Sequence, residues 1–378
     1  MIYKPASEIE LTKLVAETSS PFEIIGTGTK RALGRPLENL NVLDLSKFLN
    51  VKSYEPEELI LDVGAGAKLS DVEELIAAQN QYLAFEPPDY SKLLGSKHSG
   101  TVGGMLACSL SGPRRIKAGA ARDHILGLSA VSGRGEIFKA GARVVKNVTG
   151  YDVPKLMAGS YGTLAAFTSA IFKVLPKPET EETLVLQGLD DAAAVSKMSL
   201  AMQSSCEVSG AAHIPDVGTF LRLEGIAPSV VYRRDKLAQL LGDKVEILDA
   251  KNSAAQWRCI RDILPLADNL TRMVWRISVA PSLAPTIIEK LKAKIDLRYY
   301  FDWAGGLIWL DTSHDAAHII RSSIGEGHAT LMRAPEAIRN SVEVFQPQLE
   351  ALAALSARVK DSFDPRKVFN PDRMYKGV

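Results

Sequence analysis

The sequence predicts an α+β protein in two parts, followed by a C-terminal segment. The first 175 or so residues are rich in glycine and mix short strands with few helices, unlike a regular βαβ alternation. Pro176 and Pro178 then stop a strand and are typical of a domain boundary. Beyond them the chain repeats a β-α-β-β-α-β-like unit, which is typical of helices on one face of an antiparallel sheet. The predicted boundaries are 1–175, 178–335 and 336–378.

The elements of the first part follow from local patterns. The run "EELILDVGAG" predicts a buried strand, "ILGLSAVSGRGEIFKAG" a hairpin that turns at residues 133–135, and "GTLAAFTSAIFKVLPKP" a long strand. The run "SDVEELIAAQNQ" predicts a helix with Ser70 as its N-cap and Val72, Leu75 and Ile76 on one face.

The second part alternates more regularly. Its strands are predicted at "TLVLQGL", "SGAAHI", "TFLRLEGI", "KVEIL", "RMVWRISVA", "LRYYFDW", "LIWLD" and "HATLMR". Its helices are predicted at "DDAAAVSKMSLAMQS", "SVVYRRDKLAQLLG", "LAPTIIEKLKAKI" and "SHDAAHIIRSSI". In the last segment a helix is expected from about Pro347 to Lys360, and the prolines of "FDPRKVFNPDRMY" exclude helix there.

Composition narrows the functional classes. Lys+Arg 45 against Asp+Glu 44 gives a net charge of +1, so no nucleic-acid partner is indicated. The N-terminus lacks the apolar core of a signal peptide, and no apolar run approaches the ~20 residues of a transmembrane segment. Cys108, Cys206 and Cys259 are widely spaced, which favours reduced thiols and excludes a standard iron–sulfur cluster spacing. We therefore expect a cytoplasmic protein, with peripheral attachment to the inner membrane through partners left open.

The stretch "IGTGTKRALG" at residues 25–34 follows an apolar run and could bind a phosphate through open backbone amides. It is not a Rossmann fingerprint, because Arg31 stands where the third glycine belongs, and it is not a P-loop, because Lys30 is followed by arginine. The run "GAGAKL" also fails the Rossmann pattern, at Leu69. Taken alone, the stretch supports an ordinary turn and a phosphate cradle about equally.

A second glycine-rich segment, "SGTVGGMLACSLSGPRRIKAGAARDHILGL", combines a short helix start with a basic cluster. Two such segments could grip one pyrophosphate from two sides. With "KNVTGYDVPKLMAGSYGTLAAFT", "WRISVAPS", "GHATLMR" and "FDPRKVFNPDRM", most of the chain resembles the vanillyl-alcohol oxidase (PCMH-type) flavoprotein family. Within it, the sequence is similar to FAD-binding subunits of bacterial glycolate oxidase. The resemblance implies a PCMH-type two-subdomain FAD-binding domain followed by an antiparallel-sheet α+β cap.

The resemblance also implies the FAD-binding residues. They are Gly26, Thr27, Gly28, Thr29 and Lys30 around the pyrophosphate, Thr101, Gly103 and Gly104 on its other side, Ser111 and Gly112 near the ribityl chain or ring, Gly150, Gly159, Gly162 and Leu164 at the adenine and ring ends, and Asn370 at the flavin edge.

Two features of the wider family are missing. Relatives with covalent flavin use a histidine near the phosphate loop, whereas the nearest histidines here are His98 and His124. We therefore expect non-covalent FAD. The metal-binding run of related dehydrogenases is also absent. Although His314 and His318 have i, i+4 spacing on a predicted helix face, a solvated face is the better interpretation, and no metal site is predicted.

The resemblance implies an FAD-dependent oxidoreductase subunit that converts glycolate to glyoxylate and passes electrons to a second flavoprotein subunit and an iron–sulfur subunit. A 2-hydroxy acid needs a cation for its carboxylate and a base for its hydroxyl proton. Residue types that could serve are Arg258, Arg261, Arg276, His328 and Arg333. Each is individually more typical of an ion pair, so the catalytic residues stay unassigned.

There are two alternatives to this function. One is a self-sufficient FAD-linked oxidase of another hydroxy acid or alcohol, and the other is a structural subunit that retains FAD for assembly. Trp303 and Trp309 are candidates for a partner surface, with burial in the cap as the favoured interpretation.

Overall fold

The computed structural model describes residues 1–38, 40–143, 151–242 and 244–378. The chain divides into two compact units. Unit 1 comprises Met1–Leu110, Ala120–Lys177 and Glu343–Val378, and unit 2 comprises Ser111–Gly119 and Pro178–Val342. Within the described ranges, no helix has the length and apolar character that a membrane crossing requires.

The strands of unit 1 are β1 (Ile2–Tyr3), β2 (Phe22–Ile25), β3 (Asn41–Asp44), β4 (Val51–Glu55), β5 (Ile60–Gly64), β6 (Gln81–Tyr82), β7 (Ile125–Ser132), β8 (Ile137–Gly141), β9 (Ala165–Lys173) and β10 (Leu175–Pro176). The strands of unit 2 are β11 (Thr180–Leu186), β12 (Gly210–Ile214), β13 (Gly218–Gly225), β14 (Val245–Leu248), β15 (Met273–Ser278), β16 (Leu297–Asp302), β17 (Leu307–Thr312) and β18 (His328–Arg333).

The helices are α1 (Glu8–Glu17), α2 (Leu69–Ala77), α3 (Val102–Ala107), α4 (Arg115–Ala118), α5 (Ala121–His124), α6 (Val153–Met157), α7 (Asp191–Gln203), α8 (Ala227–Leu241), α9 (Ala250–Arg261), α10 (Ala284–Lys292), α11 (Ala317–Ile324), α12 (Glu336–Ser341) and α13 (Glu350–Phe363). Short 3-10 turns lie at Leu264–Leu266, Pro281–Leu283 and Trp303–Gly305.

A small parallel sheet of order β1-β3-β2 opens unit 1. Helix α1 connects β1 to β2, and these two strands pair with the two edges of β3. Ser7 caps α1 by accepting a hydrogen bond from the Glu10 amide, and Leu11 and Val15 of this helix are fully buried. The sequence analysis did not predict α1.

A larger antiparallel sheet of order β4-β5-β9-β7-β8 forms the rest of the frame of unit 1. The predicted hairpin of β7 and β8 is confirmed, with Val131 opposite Ile137 next to the turn. Strand β9 is buried along most of its length because β5 and β7 pair with its two edges. The residue that follows β5, Ala65, contacts the start of α3, because the Gly103 amide donates to Ala65 O at 2.7 Å.

Helix α2 differs from its prediction at its first residue. It begins at Leu69 after Lys68, and no side chain caps it, so Ser70 lies inside the first turn. Val72 and Ile76 are buried as expected, whereas Leu75 is exposed. The true start lies earlier because the turn of residues 64–67 already leads into the helix, with Ala67 N–H donating to Gly64 O.

The C-terminal segment returns to β2. Helix α13 begins three residues later than predicted and also ends later, at Phe363. After it, Phe22 N–H donates to Val368 O at 2.7 Å, and Asn370 N–H donates to Phe22 O at 2.9 Å. Val368 and Phe369 join Phe22 in one core cluster. The tail is therefore an integral part of the structure of unit 1, beside the strand that leads to the first glycine-rich loop.

The described strands of unit 2 form an eight-stranded antiparallel sheet of order β14-β11-β13-β12-β16-β17-β15-β18. In this spatial order, the first four strands belong to the first predicted repeat and the last four belong to the second. The equivalent strands of the second repeat lie in the reverse order. His213 opposite Phe301 joins the two halves at β12 and β16. The two predicted β-α-β-β-α-β units are thus confirmed as two copies of one connectivity side by side.

Two helices of unit 2 differ from the predictions. Helix α9 was missed, although Asp249 caps it by accepting from the Asn252 amide and Trp257 is buried on its inner face. Helix α11 begins only at Ala317, so His314 precedes the helix and the expected shared face with His318 is wrong. Trp303 and Trp309 are both buried, as the favoured interpretation held.

Candidate cofactor site

A cleft in unit 1 brings the two glycine-rich segments together. Its empty volume, which includes open solvent at the mouth, is about 740 Å³. The lining residues are Ile24, Ile25, Gly26, Thr27, Gly28, Thr29, Lys30, Arg31, Leu45, Ala65, Thr101, Gly103, Gly104, Ala107, Cys108, Tyr161, Gly162, Ala165, Phe167, Asn370 and Arg373. Glycine and apolar side chains line most of the wall, and the cations Lys30, Arg31 and Arg373 lie in it.

One wall is the loop of residues 26–30, here called the phosphate loop, which begins where β2 ends at Ile25. Gly28 has φ +76°, a conformation that favours glycine and that turns the chain sharply at this point. Within the described ranges of the chain, no acceptor receives a hydrogen bond from the backbone amides of residues 26–30. A run of half-buried amides without internal acceptors is a suitable binding surface for an anion.

The facing wall is the start of α3. Thr101 caps this helix by accepting a hydrogen bond from the Gly104 amide at 3.2 Å. The walls are so close that a Cβ added to Gly26 would lie 2.4 Å from Thr101 Oγ1, and one added to Gly103 would lie 3.0 Å from Ala65 O. Glycine at residues 26 and 103 therefore permits the two segments and β5 to approach each other.

Lys30 supplies the charge at this point of the cleft. Its ammonium lies 3.4 Å from Thr29 Oγ1, and no carboxylate in the described part of the chain lies within ion-pair distance of it. Burial lowers the pKa of Lys30 below its ordinary value. A half-buried ammonium with no carboxylate to neutralise it gives the cleft a local positive potential, which suits a pyrophosphate.

Cys108 lies on the same wall, in contact with the cleft. Burial raises the pKa of its thiol to about 11, although the charges of Lys30 and Arg373 act in the opposite direction. The thiol is therefore protonated at neutral pH and presents a small, uncharged surface to whatever occupies the cleft.

Asn370 lines the cleft, and its side chain forms hydrogen bonds with the backbone of two other segments there. Its Oδ1 accepts from the Ile24 amide at 2.8 Å, and its Nδ2 donates to Tyr161 O at 2.8 Å. Gly162 has φ +70°, and a Cβ there would lie 2.7 Å from Asn370 Nδ2. Asn370 thus connects the tail with the end of β2 and with the turn at residues 161–162, and these three segments form one edge of the cleft.

Of the residues that the sequence predicted for the cofactor, ten line the cleft: Gly26, Thr27, Gly28, Thr29, Lys30, Thr101, Gly103, Gly104, Gly162 and Asn370. Gly159 and Leu164 are not among the lining residues, although the Gly159 amide donates to Leu106 O and so helps to seat the 159–162 turn against α3. Gly150 lies outside the described residues.

Ser111 and Gly112 belong to unit 2 and are likewise not among the lining residues. Their segment is bound there by a buried ion pair, in which Arg114 Nε donates to the two Glu224 carboxylate oxygens at 2.9 and 3.0 Å. Trp303 Nε1 donates to Gly112 O at 3.1 Å. Burial favours the neutral form of Glu224, but the guanidinium groups of Arg222 and Arg114 outweigh it and hold its pKa at about 2.

The candidate catalytic side chains of unit 2 do not form one cluster. Arg333 is buried and donates to the backbone oxygens of Arg272, Leu266 and Asn269, so its contacts are those of a structural residue. The guanidinium of Arg276 stacks 5.0 Å from the Trp303 ring centroid, and His328 is exposed at the start of β18.

The two arginines of α9 complete this set. Arg258 is exposed, and Arg261 pairs with Asp262 at 2.8 Å. In the part of the chain that the structure describes, no three His, Cys, Asp or Glu side chains are close enough to hold a metal ion.

Sequence reasoning missed eleven lining residues: Ile24, Ile25, Arg31, Leu45, Ala65, Ala107, Cys108, Tyr161, Ala165, Phe167 and Arg373. The apolar ones were interpreted only as strand or helix residues, because periodicity does not distinguish a cleft wall from a core. Tyr161 could have been found from its place beside Gly162. Arg373 carries no local signal, since its partners are more than 300 residues away in the chain.

Comparison with known proteins agrees with this geometry. Residues 1–141 match the model of the "FAD binding domain" family. The chain is 32% identical over 370 residues to glycolate oxidase subunit GlcE of Escherichia coli (strain K12), covering 97% of this chain and 96% of that protein. It is 31% identical over 224 residues to glycolate oxidase subunit GlcD of Bacillus subtilis (strain 168), covering 58% of this chain and 45% of that protein.

Among solved structures, alkyldihydroxyacetonephosphate synthase superposes with a TM-score of 0.70 at 16% identity, covering 98% of this chain and 76% of that chain. At that identity the likeness concerns the fold alone. The expected fold, a PCMH-type FAD-binding domain with an antiparallel α+β domain, is confirmed, and so is FAD as the cofactor. The phosphate loop and its facing wall offer backbone amides, a close approach of two segments and a cation, which are features that suit a pyrophosphate.

Proposed function

Since the chain belongs to the family of glycolate oxidase subunit GlcE, we propose that it is the FAD-binding subunit of a multi-subunit glycolate oxidase. The observation that carries the proposal is the cleft of unit 1, where open amides and the unneutralised Lys30 face Thr101 and Gly104. The family relationship covers 97% of the chain, so it includes unit 2 and the returning tail as well as the cofactor domain.

We propose that FAD is bound non-covalently. Among the described residues that line the cleft there is no histidine. His98 is exposed, and His124 is buried against Phe85, with the ring centroids 5.4 Å apart. The attachment then depends on the phosphate loop, and FAD should leave the protein when the loop unfolds.

The reaction proposed is the oxidation of glycolate to glyoxylate. The substrate loses two electrons and two protons as its C–H and O–H bonds break. Bound FAD supplies the acceptor for the hydride. The proton of the hydroxyl must pass to a base, and the carboxylate must meet a cation. Arg276 and His328 remain the candidates of unit 2 for these tasks, whereas Arg333 has its guanidinium bound to three backbone oxygens.

Electrons must then leave the reduced cofactor. None of the three cysteines forms a disulfide in the described part of the chain, and Cys206 is buried in unit 2 while Cys108 lines the cleft of unit 1. We propose that the acceptor is a partner protein, namely a second flavoprotein subunit of the GlcD kind together with an iron–sulfur subunit. The assembly would work in the cytoplasm, with its partners making any contact with the inner membrane.

The test is anaerobic reduction of the purified flavoprotein by glycolate, with acetate as the control that lacks the hydroxyl group. Loss of flavin absorption with glycolate but not acetate, in the isolated chain, supports direct oxidation at this flavin. Reduction only after the partners are co-expressed supports a relay role in the same enzyme. A flavin that glycolate never reduces, alone or in the complex, contradicts the proposed function and favours a structural role in assembly.

A second assay measures glycolate-dependent dye reduction by the isolated chain and by the co-expressed complex. The proposal predicts a large gain in turnover when the partners are present. Full turnover by the isolated chain, unchanged by the partners, would instead identify a self-sufficient oxidase.

A further inference from the structure

Arg373, near the C-terminus, lines the cleft next to the end of the phosphate loop. Its Nη2 donates to Lys30 O and to Arg31 O, both at 3.1 Å, and its Nη1 donates to Arg35 O at 3.4 Å. In return the Arg35 amide donates to Arg373 O at 2.9 Å. We propose that Arg373 is a positioning residue for the cofactor, which fixes the phosphate loop and thereby places the Lys30 ammonium for the pyrophosphate.

The chemistry of arginine suits this task. The guanidinium is a planar fork with five donors, so it can bind several carbonyl oxygens at once in fixed directions. The Arg373 side chain is buried, so bulk water competes little for these hydrogen bonds. Gly34, with φ +77°, leaves room for the contact, because a Cβ there would lie 2.9 Å from Arg373 O.

The loop needs such a contact because its own hydrogen bonds are few. The amides of residues 26–30 have no acceptor within the described ranges. Leu33 N–H to Lys30 O, at 3.0 Å, is a bond that helps to close the turn from within. Arg373 binds the carbonyl side of the Lys30 peptide, which leaves the amides of the loop available to an anion. Although Arg373 also lines the cleft, its hydrogen bond to Lys30 O leads us to expect that its effect on the cofactor runs mainly through Lys30.

Arg373 is itself held by the tail. Asp364 is fully buried and accepts from the Val368 and Phe369 amides at 3.0 and 2.9 Å. The Lys360 ammonium bonds to Asp364 Oδ2 at 2.7 Å and to Phe369 O at 3.0 Å. Asn370 Oδ1 also accepts from the Ile24 amide. Together these contacts fix the backbone just before Arg373, and so they fix the place from which its side chain reaches the loop.

The test compares Arg373→Met with Arg366→Met by FAD titration of the apo-protein. Arg366 is a matched control, because it also lies in the tail and donates to three backbone oxygens, those of Val15, Ala16 and Thr18, but at the end of α1. We expect the dissociation constant of FAD to rise roughly 10- to 100-fold in Arg373→Met, and to change less than about threefold in Arg366→Met. Equal losses in the two variants would overturn the proposal.

Two further variants separate positioning from charge. Arg373→Lys keeps the charge and loses the fork, so we expect it to recover little of the lost affinity; full recovery would overturn the proposal. In the Lys30→Met background, Arg373→Met should add much less than it does alone, because both changes act through the same ammonium. Strictly multiplicative effects on the dissociation constant would show that Arg373 acts independently of Lys30, and would also overturn it.

Discussion

The Lys30 ammonium lies 2.5 Å from the position that a Cβ on Gly100 would occupy. The next atom that this Cβ would meet is Thr29 Oγ1 at 3.5 Å, so the backbone around Gly100 leaves space for a methyl group in every other direction. Gly100 therefore sets where the charge of the phosphate loop can be. Its identity matters for the position of the cation more than for the stability of the backbone.

We accordingly predict that Gly100→Ala lowers FAD affinity with little effect on folding. The methyl group displaces the flexible end of Lys30 and moves its charge away from the pyrophosphate, which should raise the dissociation constant of FAD by about tenfold. Thermal unfolding of the apo-protein should stay within about 2 °C of wild type. When Lys30 is already methionine, there is no charge to displace, so Gly100→Ala should not lower the FAD affinity further. A further loss of affinity in the double variant would refute the explanation.

Lys30→Met should separate stability from binding. Burial lowers the pKa of Lys30, so the unfolded chain binds this proton more tightly than the folded one and the charged form costs stability at neutral pH. We expect the apo variant to be at least as stable as wild type, while its FAD affinity falls roughly 10- to 100-fold. Urea unfolding of the apo-proteins and FAD titration measure the two quantities.

The Lys30 ammonium also predicts how FAD affinity depends on pH. The protonated ammonium attracts the pyrophosphate, and its cost to the apo fold disappears as pH rises through the lowered pKa. FAD affinity of the wild type should therefore fall as the pH rises at values below 10.5, the ordinary pKa of lysine, and more steeply than that of Lys30→Met. Parallel pH profiles for the two proteins would contradict this role of Lys30.

Gly104→Val should reduce FAD retention sharply. A Cβ on Gly104 would lie 3.3 Å from Thr101 Oγ1 and 3.6 Å from Lys30 Cδ, so the branched side chain of valine must extend into the cleft. Ala77→Val, at the exposed end of α2, is the control for placing a β-branched residue in a short helix. Gly34→Ala would be an unsuitable control, because Gly34 has φ +77° and an added Cβ would lie 2.9 Å from Arg373 O. Equal FAD content in Gly104→Val and Ala77→Val would mean that the cradle is misplaced.

Glu224→Gln should destabilise unit 2 in a pH-dependent way. The folded pKa of about 2 lies below the ordinary value of 4.5, so the charged form contributes stability above about pH 4.5 that is lost as pH falls towards 2. Removing this charge leaves Arg114 with its longer ion pair to Glu181, at 3.8 Å, and removes the carboxylate that lies 3.6 Å from Arg222 Nε. The change should cost about 3 kcal/mol at pH 7. Urea unfolding at several pH values checks it: the difference from wild type should shrink below about pH 4.5, and a constant difference would contradict the account.

The sequence predicts this fold well where the signal is local. The hairpin at residues 133–135 and the two repeats of unit 2 depend on turn glycines and on period, and both are confirmed. Helix α1 was missed because its short sequence mixes charged and apolar residues, with only Leu11 and Val15 fully buried. Helix α9 was missed because its signal is a cap at Asp249 and few buried residues, which period alone does not reveal.

The residues of the candidate site were likewise predicted where their signal is local and missed where it depends on the tertiary structure. Glycines that lie in recognisable runs, such as Gly26 and Gly104, were predicted and line the cleft. Arg373 was not, because its three carbonyl partners are set by the tertiary return of the tail. Ser111, which the resemblance implies near the ribityl chain or ring, belongs to a segment of unit 2 that the Arg114–Glu224 pair binds, and its contact with the cofactor stays a prediction.

The central claim is that the cleft of unit 1 binds FAD without a covalent bond, and acid precipitation of the purified protein tests it most directly. The flavin absorption of the native protein is recorded first, and the supernatant and the washed pellet are then analysed for flavin. We predict FAD in an amount close to that of the protein, recovered in the supernatant as intact FAD. Flavin that stays in the pellet would contradict non-covalent binding, and a stable, correctly folded protein that neither contains flavin nor takes it up would contradict the cofactor site itself.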